Sequence, residues 1–558
     1  MQTKFSALIP ELLSNNPQSQ NQKTKDAYFW HSFFLLKPEF AVMQNALYAN
    51  YSLDAVRDLI SRCIDTIADQ ANDKVAKMKK FNASYLLVQI FESLWPRLRT
   101  GTFGVDAINV LCGLQQADRF FDFLFKTILS QRDSESVIVL LSILVATRDI
   151  ETNALTDFFI AKVDQIVNFS LQASDLHILF FSLLLQLERP NGPFADRFRQ
   201  LNPKILTIFN SLVANLLARC TQLYVCCTHV QTSFFKKVSR PAAAKLGLFI
   251  PSDYELPAHF QIFEPFVDAA ALTFLELSYL KLDSVCISAA ISLFTHIETA
   301  PATPHSGDRL HLLLIAFAFL FDNYPESAKL PFDFTQFHSC FNALVTPCVE
   351  RSIGAMVLEC LCFLLNLPNI NDRILSIIGR TIYTIMFIFG QVRDFGSADW
   401  KNLFTTIFSV MWKYNKEEFN TYMLILVSMV SAYRMALFKR DDGYIELLRA
   451  LSQNPDVLNC KTKPNDEFQR PDELIAQCKT HAEALASFVR ERITPEMTDE
   501  QINHEIGQMK NLHIISNETF KMPEKLTEHP KFSQFLRVYE RNHCENVQAL
   551  LQYAIAHP

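Results

Sequence analysis

Glycine is close to absent from this chain, with 12 residues in 558. Nucleotide-binding and hydrolase folds need glycine for tight turns and for close backbone approach to phosphate, so its scarcity argues against both. Their signatures are missing as well. No Gly-rich phosphate loop, Gly-x-Ser-x-Gly elbow, His-Glu-x-x-His or Cys-x-x-Cys occurs anywhere. Strong charge of one sign is also lacking: the formal net charge is −6 and the pI near 6.2, which gives no nucleic-acid signature. Long apolar runs are lacking too. Leu176–Leu187, Leu310–Phe321 and Tyr422–Phe438 fall short of the roughly 20 apolar residues of a transmembrane helix, so any membrane contact is expected to be peripheral. Residues 1–25 show no charged segment leading into an apolar one, and no secretory signal is expected there.

The 13 cysteines are odd in number, and Cys112, Cys220, Cys286, Cys360 and Cys362 sit inside apolar runs. That fits reduced, buried thiols of a cytosolic protein better than a disulfide framework. Cys360 and Cys362 are two apart on a helix and point about 200° away from each other, so they cannot share an ion. His338/Cys340/Cys348 and Cys226-Cys227/His229 lack the tight paired spacing of zinc ligands. With no acid–base pair in view, the expectation is a protein without catalytic activity, metal or cofactor.

What is present is apolar bulk. Phenylalanine numbers 48, apolar residues make up 49% and charged residues 20%, the balance of a folded chain. The stretch from Ser352 to Gln391 sets the pattern. Its first half, Ile353 to Asn366, and its second, Arg373 to Phe389, are apolar almost all round, with Leu367-Pro368-Asn369-Ile370-Asn371-Asp372 between them. Proline stops the first helix, and Asn or Asp caps the second. Neither half reads as a membrane span: the first has about 13 apolar positions and the second carries Arg380 in its middle. One such hairpin cannot bury both of its faces, but a stack can. The fold class expected is all-α, an armadillo/HEAT-like solenoid of stacked hairpins.

Read in order, residues 1–25 are a flexible N-terminal segment and 26–450 the helical array. Within the array, Val56, Leu59, Ile60, Cys63, Ile64 and Ile67 recur at spacings of three and four. Lys74, Lys77, Lys79 and Lys80 are read as the cationic end of that helix, complementing its dipole. A second helix, Asn82–Trp95, is expected to stop at Pro96. Residues 451–471, polar and rich in Asn-Pro and Lys-Pro steps, read as a linker, and 472–558 as a C-terminal helical segment. The rhythm fails over 228–265, where Pro241, Pro251, Pro257 and Pro265 forbid a long helix. In this insert Phe234, Phe235, Lys236, Lys237, Arg240, Lys245 and Phe249 combine aromatics with cations, which suits shallow insertion at an anionic bilayer or docking on a partner. The alternative is an insert packed back on the array with its lysines in water.

Several stretches resemble one family. Phe29-Trp30-His31-Ser32-Phe33-Phe34-Leu35-Leu36-Lys37 is similar to the Phe-Trp-x-x-hydrophobic-Phe-Leu-hydrophobic-Lys element of the armadillo-like helical domain-containing proteins of the Golgi. The segment Gly104-Val105-Asp106-Ala107-Ile108-Asn109-Val110-Leu111-Cys112-Gly113-Leu114 resembles that family's Gly-Phe-Asp-Ile-Ile-Asn-Met-Leu-Met-Gly-Phe. Arg309-Leu310-His311 resembles its Arg-Leu-His, Met497-Thr498-Asp499-Glu500-Gln501 its Leu-Ser-Glu-Glu-Gln, and Ser233-Phe234-Phe235 the start of its insert. The long Thr/Pro-rich insert of larger relatives is reduced here to Thr299–Gly307. The resemblance implies a non-enzymatic scaffold, cytoplasmic and peripheral on Golgi membranes. It also implies binding to phosphatidylinositol 4-kinase beta and to a Golgi Arf exchange factor, support of phosphatidylinositol 4-phosphate levels, and roles in Golgi maintenance and secretion. The alternative is a soluble helical-repeat adaptor unrelated to the Golgi.

Overall fold

The computed structural model describes residues 3–14, 27–49, 51–99, 117–123, 161–165, 178–179, 182–183, 193–206, 213, 268–279, 281, 283, 306–332, 351–366, 370–392, 398–437, 442–508, 515, 519–526 and 530–556. The fold is all-α. Among the described residues the one departure is a two-residue antiparallel pairing of β1 (Pro331–Phe332) with β2 (Arg351–Ser352). The chain forms two compact units, one drawn from 1–201, 251–273 and 540–558, the other from 202–250 and 274–539. Neither boundary falls at 450 or 471.

In the first unit, α1 (Lys4–Leu13) lies where the sequence suggested a flexible segment. Thr3 caps it, its side chain accepting from the Ser6 N–H at 3.1 Å. Phe5, Ile9 and Leu13, four apart, are all buried, and α1 packs on α3 (Phe40–Tyr48) and α4 (Leu53–Ala68). An apolar stripe at that spacing orders a helix that composition alone left loose. Between them, α2 (Ala27–Phe33) contributes Trp30 and Phe33, and the next turn Phe34, to an aromatic cluster. Phe33 stacks on Phe5 at 6.0 Å between centroids and meets Trp30 edge-on at 5.6 Å. The Arg62 guanidinium lies 5.4 Å over the Trp30 ring. Val56, Leu59, Ile60, Cys63, Ile64 and Ile67 are all buried on α4, as their spacing predicts. Full burial of such side chains is worth about 1.5–3 kcal/mol each.

The next boundary differs from the sequence reading. Helix α4 stops at Ala68, and α5 runs from Lys74 to Arg99, straight through Pro96. Asp73 makes the new start: its carboxylate accepts from the Val75 and Ala76 N–H groups, both at 2.8 Å. The four lysines therefore open a helix instead of closing one, at the end where the dipole disfavours cations. Lysine clustering says nothing about helix direction; the Asp cap decides it. Pro96 sits in the last turn of α5, where it removes one hydrogen bond, which such a long helix tolerates. The short α6 (Ala117–Phe123) and α7 (Pro193–Arg199) follow in this unit.

The named helices of the second unit begin with α8 (Ser306–Asn323) and continue through α9 (Ile353–Leu365), α10 (Asp372–Val392), α11 (Trp400–Tyr414) and α12 (Glu417–Leu437). It then passes to α13 (Asp442–Gln453), α14 (Pro471–Arg492), α15 (Asp499–Gly507) and the start of α16 (Pro530–Ala556). Caps follow from sequence: Ser352 accepts from the Ala355 N–H, Asp399 from the Asn402 N–H, and Asn415 ends α11 at φ 45°. Each helix packs chiefly on its next-but-one neighbour. The helices α8, α10, α12 and α14 make one row, and α9, α11, α13 and α15 a second. Gly354 sits where the rows press together. A Cβ there would lie 2.6 Å from the Phe389 ring and 2.9 Å from the Ala328 carbonyl.

By length and composition Asp372–Gly390 could cross a membrane, but 78% of that stretch is buried within the fold. Residues 451–471, read as a linker, form a packed strap. Val457, Leu458 and Phe468 are buried, the Lys461 carbonyl accepts from Asn420 Nδ2 at 3.0 Å, and the Lys463 N–H donates to Thr421 Oγ1 at 3.1 Å. Asn420 and Thr421 are themselves buried. The polarity of the strap satisfies polar groups of α12 rather than facing water alone.

Candidate functional site

Among the described residues three clusters of polar side chains inside the fold are candidates for chemistry. In the second unit Arg380, halfway along α10, is 1% exposed. Its guanidinium donates to both oxygens of Asp322 (3.3 and 2.9 Å), to Glu467 Oε2 (2.7 Å) and to the Glu524 carbonyl (2.9 Å). The Glu524 N–H donates back to the Glu467 carbonyl at 2.7 Å, and the Leu526 N–H to Asp322 at 3.4 Å. Tyr383 donates to the Lys521 carbonyl at 3.0 Å, and Phe468 lies between the Tyr383 and Tyr422 rings. Burial opposes the Arg380 charge, but Asp322 and Glu467 outweigh it and hold the guanidinium above its ordinary value. Burial pushes the Asp322 carboxyl up against the pull of Arg380, and burial together with Glu467 pushes the Tyr422 phenol well up. One cation thus ties α8, α10, the 451–471 strap and the 519–526 segment together. A bidentate arginine so enclosed is a clamp.

In the first unit Ser182 Oγ lies 3.0 Å from His543 Nε2, a nucleophile-and-base pairing at first sight. Ser182 already donates to the Leu179 carbonyl at 2.7 Å. A hydroxyl has one proton, so the imidazole must be the donor in the Ser–His bond, and it cannot accept the serine proton in that state. Both residues are fully buried. Three residues along the same face of α16, Asn546 donates to Asp268 at 3.3 Å. The pair fastens the end of the chain to the first unit.

The third cluster is one face of α5. Tyr85, Gln89, Glu92 and Ser93 follow at helical spacing, and Tyr85, Gln89 and Ser93 are buried. Tyr85 Oη, both amide atoms of Gln89, both carboxylate oxygens of Glu92 and Ser93 Oγ are shielded, with no hydrogen-bond partner among the described residues. Burial raises the Glu92 carboxyl to about 7. Burial and then the nearby Glu92 charge push the Tyr85 phenol up. Groups buried this way cost about 1–3 kcal/mol each. The row runs in line with the exposed, lysine-rich start of the same helix, beyond Phe81, which stacks on Tyr85 at 5.7 Å. Sequence reasoning missed it because a lone Glu amid apolar residues looks like an exposed position. The signal was Tyr85, Gln89 and Glu92 sharing one helical stripe.

The residues that carry the family resemblance have structural places where they are described. Trp30 is buried in the aromatic cluster, Phe29 lies at its edge and Lys37 is exposed. His311 is packed 4.4 Å from the Phe535 ring, and burial, aided by Arg373, lowers its imidazole to about 4. The 497–501 stretch is a capping box: Thr498 Oγ1 accepts from the Gln501 N–H at 3.4 Å, and Gln501 Oε1 from the Thr498 N–H at 2.8 Å. Gly104, Asp106, Ile108, Asn109, Leu111 and Gly113 lie outside the described residues, as do Phe234, Phe235, Lys236, Lys237, Arg240, Lys245 and Phe249. Among the described residues no group of three or more His, Cys, Asp or Glu is placed to hold a metal ion. Comparison with protein-family models, characterised proteins and solved structures finds no match to this chain.

Proposed function

We propose that the chain is a non-enzymatic scaffold, an armadillo/HEAT-like stack of helical hairpins that works by holding other proteins. One observation carries this reading: in the second unit each helix packs on its next-but-one neighbour, in two rows. That is the packing of a repeat array, which grows by adding hairpins and offers its rows as extended binding faces. The ionisable groups of the unit's interior support the reading, because Arg380, Asp322 and Glu467 spend their charge on one another. Binding by a scaffold needs exposed anchors instead. Trp412 on α11, 65% exposed, and Phe363 on α9 stand on adjacent helices of one row. Exposed tryptophan is the residue type most enriched among strong interface anchors.

The resemblance supplies the setting: the cytosolic face of the Golgi, with phosphatidylinositol 4-kinase beta and a Golgi Arf exchange factor as partners, and with roles in phosphatidylinositol 4-phosphate supply and secretion. The test pairs imaging of a tagged copy with affinity purification and mass spectrometry. Golgi labelling with recovery of the kinase or the exchange factor, reduced in Trp412→Ala, is the expected result. Diffuse labelling with neither partner recovered removes the Golgi setting and leaves a soluble helical-repeat adaptor. A bound nucleotide or metal in the purified protein would remove the scaffold reading altogether.

A further inference from the structure

The first turns of α5 are built against the grain of helix electrostatics. Lys74, Lys77, Lys79 and Lys80 stand at the positive end of the helix dipole. Among the described residues none of them forms an ion pair. The two nearest acids in sequence are both engaged with backbone: Asp69 accepts from the Ala71 N–H at 3.1 Å, and Asp73 from the Val75 and Ala76 N–H groups. With those helix N–H groups taken, the helix start offers no backbone pocket for an anion. What remains is a surface. Lys74 and Lys77 are exposed, and the residue after each, Val75 and Met78, is 44% and 48% exposed, while Ala76 and Asn82 are buried. Lys79 acts electrostatically on Asp73, but neither the packing nor the electrostatics of the fold accounts for the other three cations interleaved with two exposed apolar side chains.

We propose that the start of α5 docks on an anionic lipid surface, with its lysines against the headgroups and with Val75 and Met78 entering the interface. Charge complementarity selects an anionic partner. The exposed apolar pair selects a bilayer over a soluble polyanion, because burying it gains free energy against hydrocarbon and not against a solvated polyanion. Each lysine near such a surface strengthens partitioning about fivefold, the equivalent of about 1 kcal/mol. The contact stands on the described helix alone.

Flotation of the full-length protein with vesicles tests it, using phosphatidylcholine alone and phosphatidylcholine with phosphatidylserine. The wild type is expected to float with the anionic vesicles only. Lys74→Gln/Lys77→Gln should bind about 25-fold more weakly, and Val75→Ser/Met78→Ser should also lose binding. All four positions are exposed, and unchanged circular dichroism confirms folding. Equal flotation of the lysine variant and the wild type overturns the proposal, as does no flotation of the wild type. If only the lysine variant is impaired and heparin displaces the protein, the surface binds polyanions and the bilayer proposal fails. A Phe234→Ala/Phe235→Ala/Lys236→Ala/Lys237→Ala protein, tested in parallel, reports on the insert. Its loss of binding alongside an unimpaired lysine variant would move the membrane contact there.

Discussion

Replacing Glu92 by Gln should stabilise the first unit in a pH-dependent way. The folded protein holds this carboxyl at about 7 against an ordinary value of 4.5, and burial is the cause. The sign follows directly. A carboxyl that is harder to ionise when folded costs nothing while both states are protonated, and costs progressively more as pH rises from 4.5 to 7. At about 1.36 kcal/mol per pH unit, the full cost is about 3 kcal/mol above pH 7. Glutamine keeps the shape and polar atoms but has no charge to lose. Its advantage over the wild type should therefore be near zero at pH 4 and reach about 3 kcal/mol at pH 8. Hydrogen exchange of α5 peptides, read by mass spectrometry and corrected for intrinsic rates, isolates the first unit. It should show about 100-fold greater protection in the variant at pH 8. Other titrating groups cancel in the comparison, with one exception: Tyr85 faces Glu92, and its phenol is pushed up too far to titrate in this range. An advantage of the same size at pH 4 and pH 8 would refute the buried-charge account.

Removing the clamp should be costly, and removing all of it should not. Arg380→Met leaves Asp322 and Glu467 buried without their counter-charge, which should cost about 3–5 kcal/mol and raise exchange across 519–526. A triple replacement of Arg380, Asp322 and Glu467 by Met, Leu and Leu should recover most of that loss in thermal unfolding. His311 acts on the acid side. Its imidazole is held at about 4 against an ordinary 6.5, so the second unit should lose up to about 3 kcal/mol as pH falls from 6.5 to 4, and His311→Phe should abolish the loss in urea titrations. Gly354→Ala would force a Cβ against Phe389 and the Ala328 carbonyl and should cost about 1–3 kcal/mol by thermal denaturation.

How far the fold could be read from sequence depended on which physical signal each segment carries. The α4 stripe and the α9–α10 hairpin were legible because burial imposes a period of three to four residues on apolar side chains. The start of α5 was not, because the direction of a lysine-rich helix is fixed by one capping aspartate and not by the lysines. The packing of the 451–471 strap was not legible for a related reason. Polarity marks a wish for hydrogen bonds, and sequence cannot say that Asn420 and Thr421 supply the partners in place of water. Arg380 was visible as an anomaly in an apolar helix, but its partners lie 58 and 87 residues away along the chain. No local pattern joins them.

The residues that suggested a family bear on fold more than on partner. Trp30 and Phe33 fill the core of the first unit, Thr498 and Gln501 cap α15, and His311 packs against Phe535. Each position is constrained by a local packing or capping requirement, and any chain folding this way would face the same requirement. Likeness at such sites is what shared architecture produces, whether or not the surface is shared. Specificity for any partner must instead sit on exposed side chains that folding does not use, such as Trp412 on α11 and Lys74, Val75, Lys77 and Met78 on α5. Substitution there should change what the protein holds while leaving its unfolding transition in place. Substitution at Trp30 or Thr498 should do the reverse. A Trp412→Ala protein that unfolds early, or a Thr498→Ala protein that keeps its stability but loses its partners, would break that division.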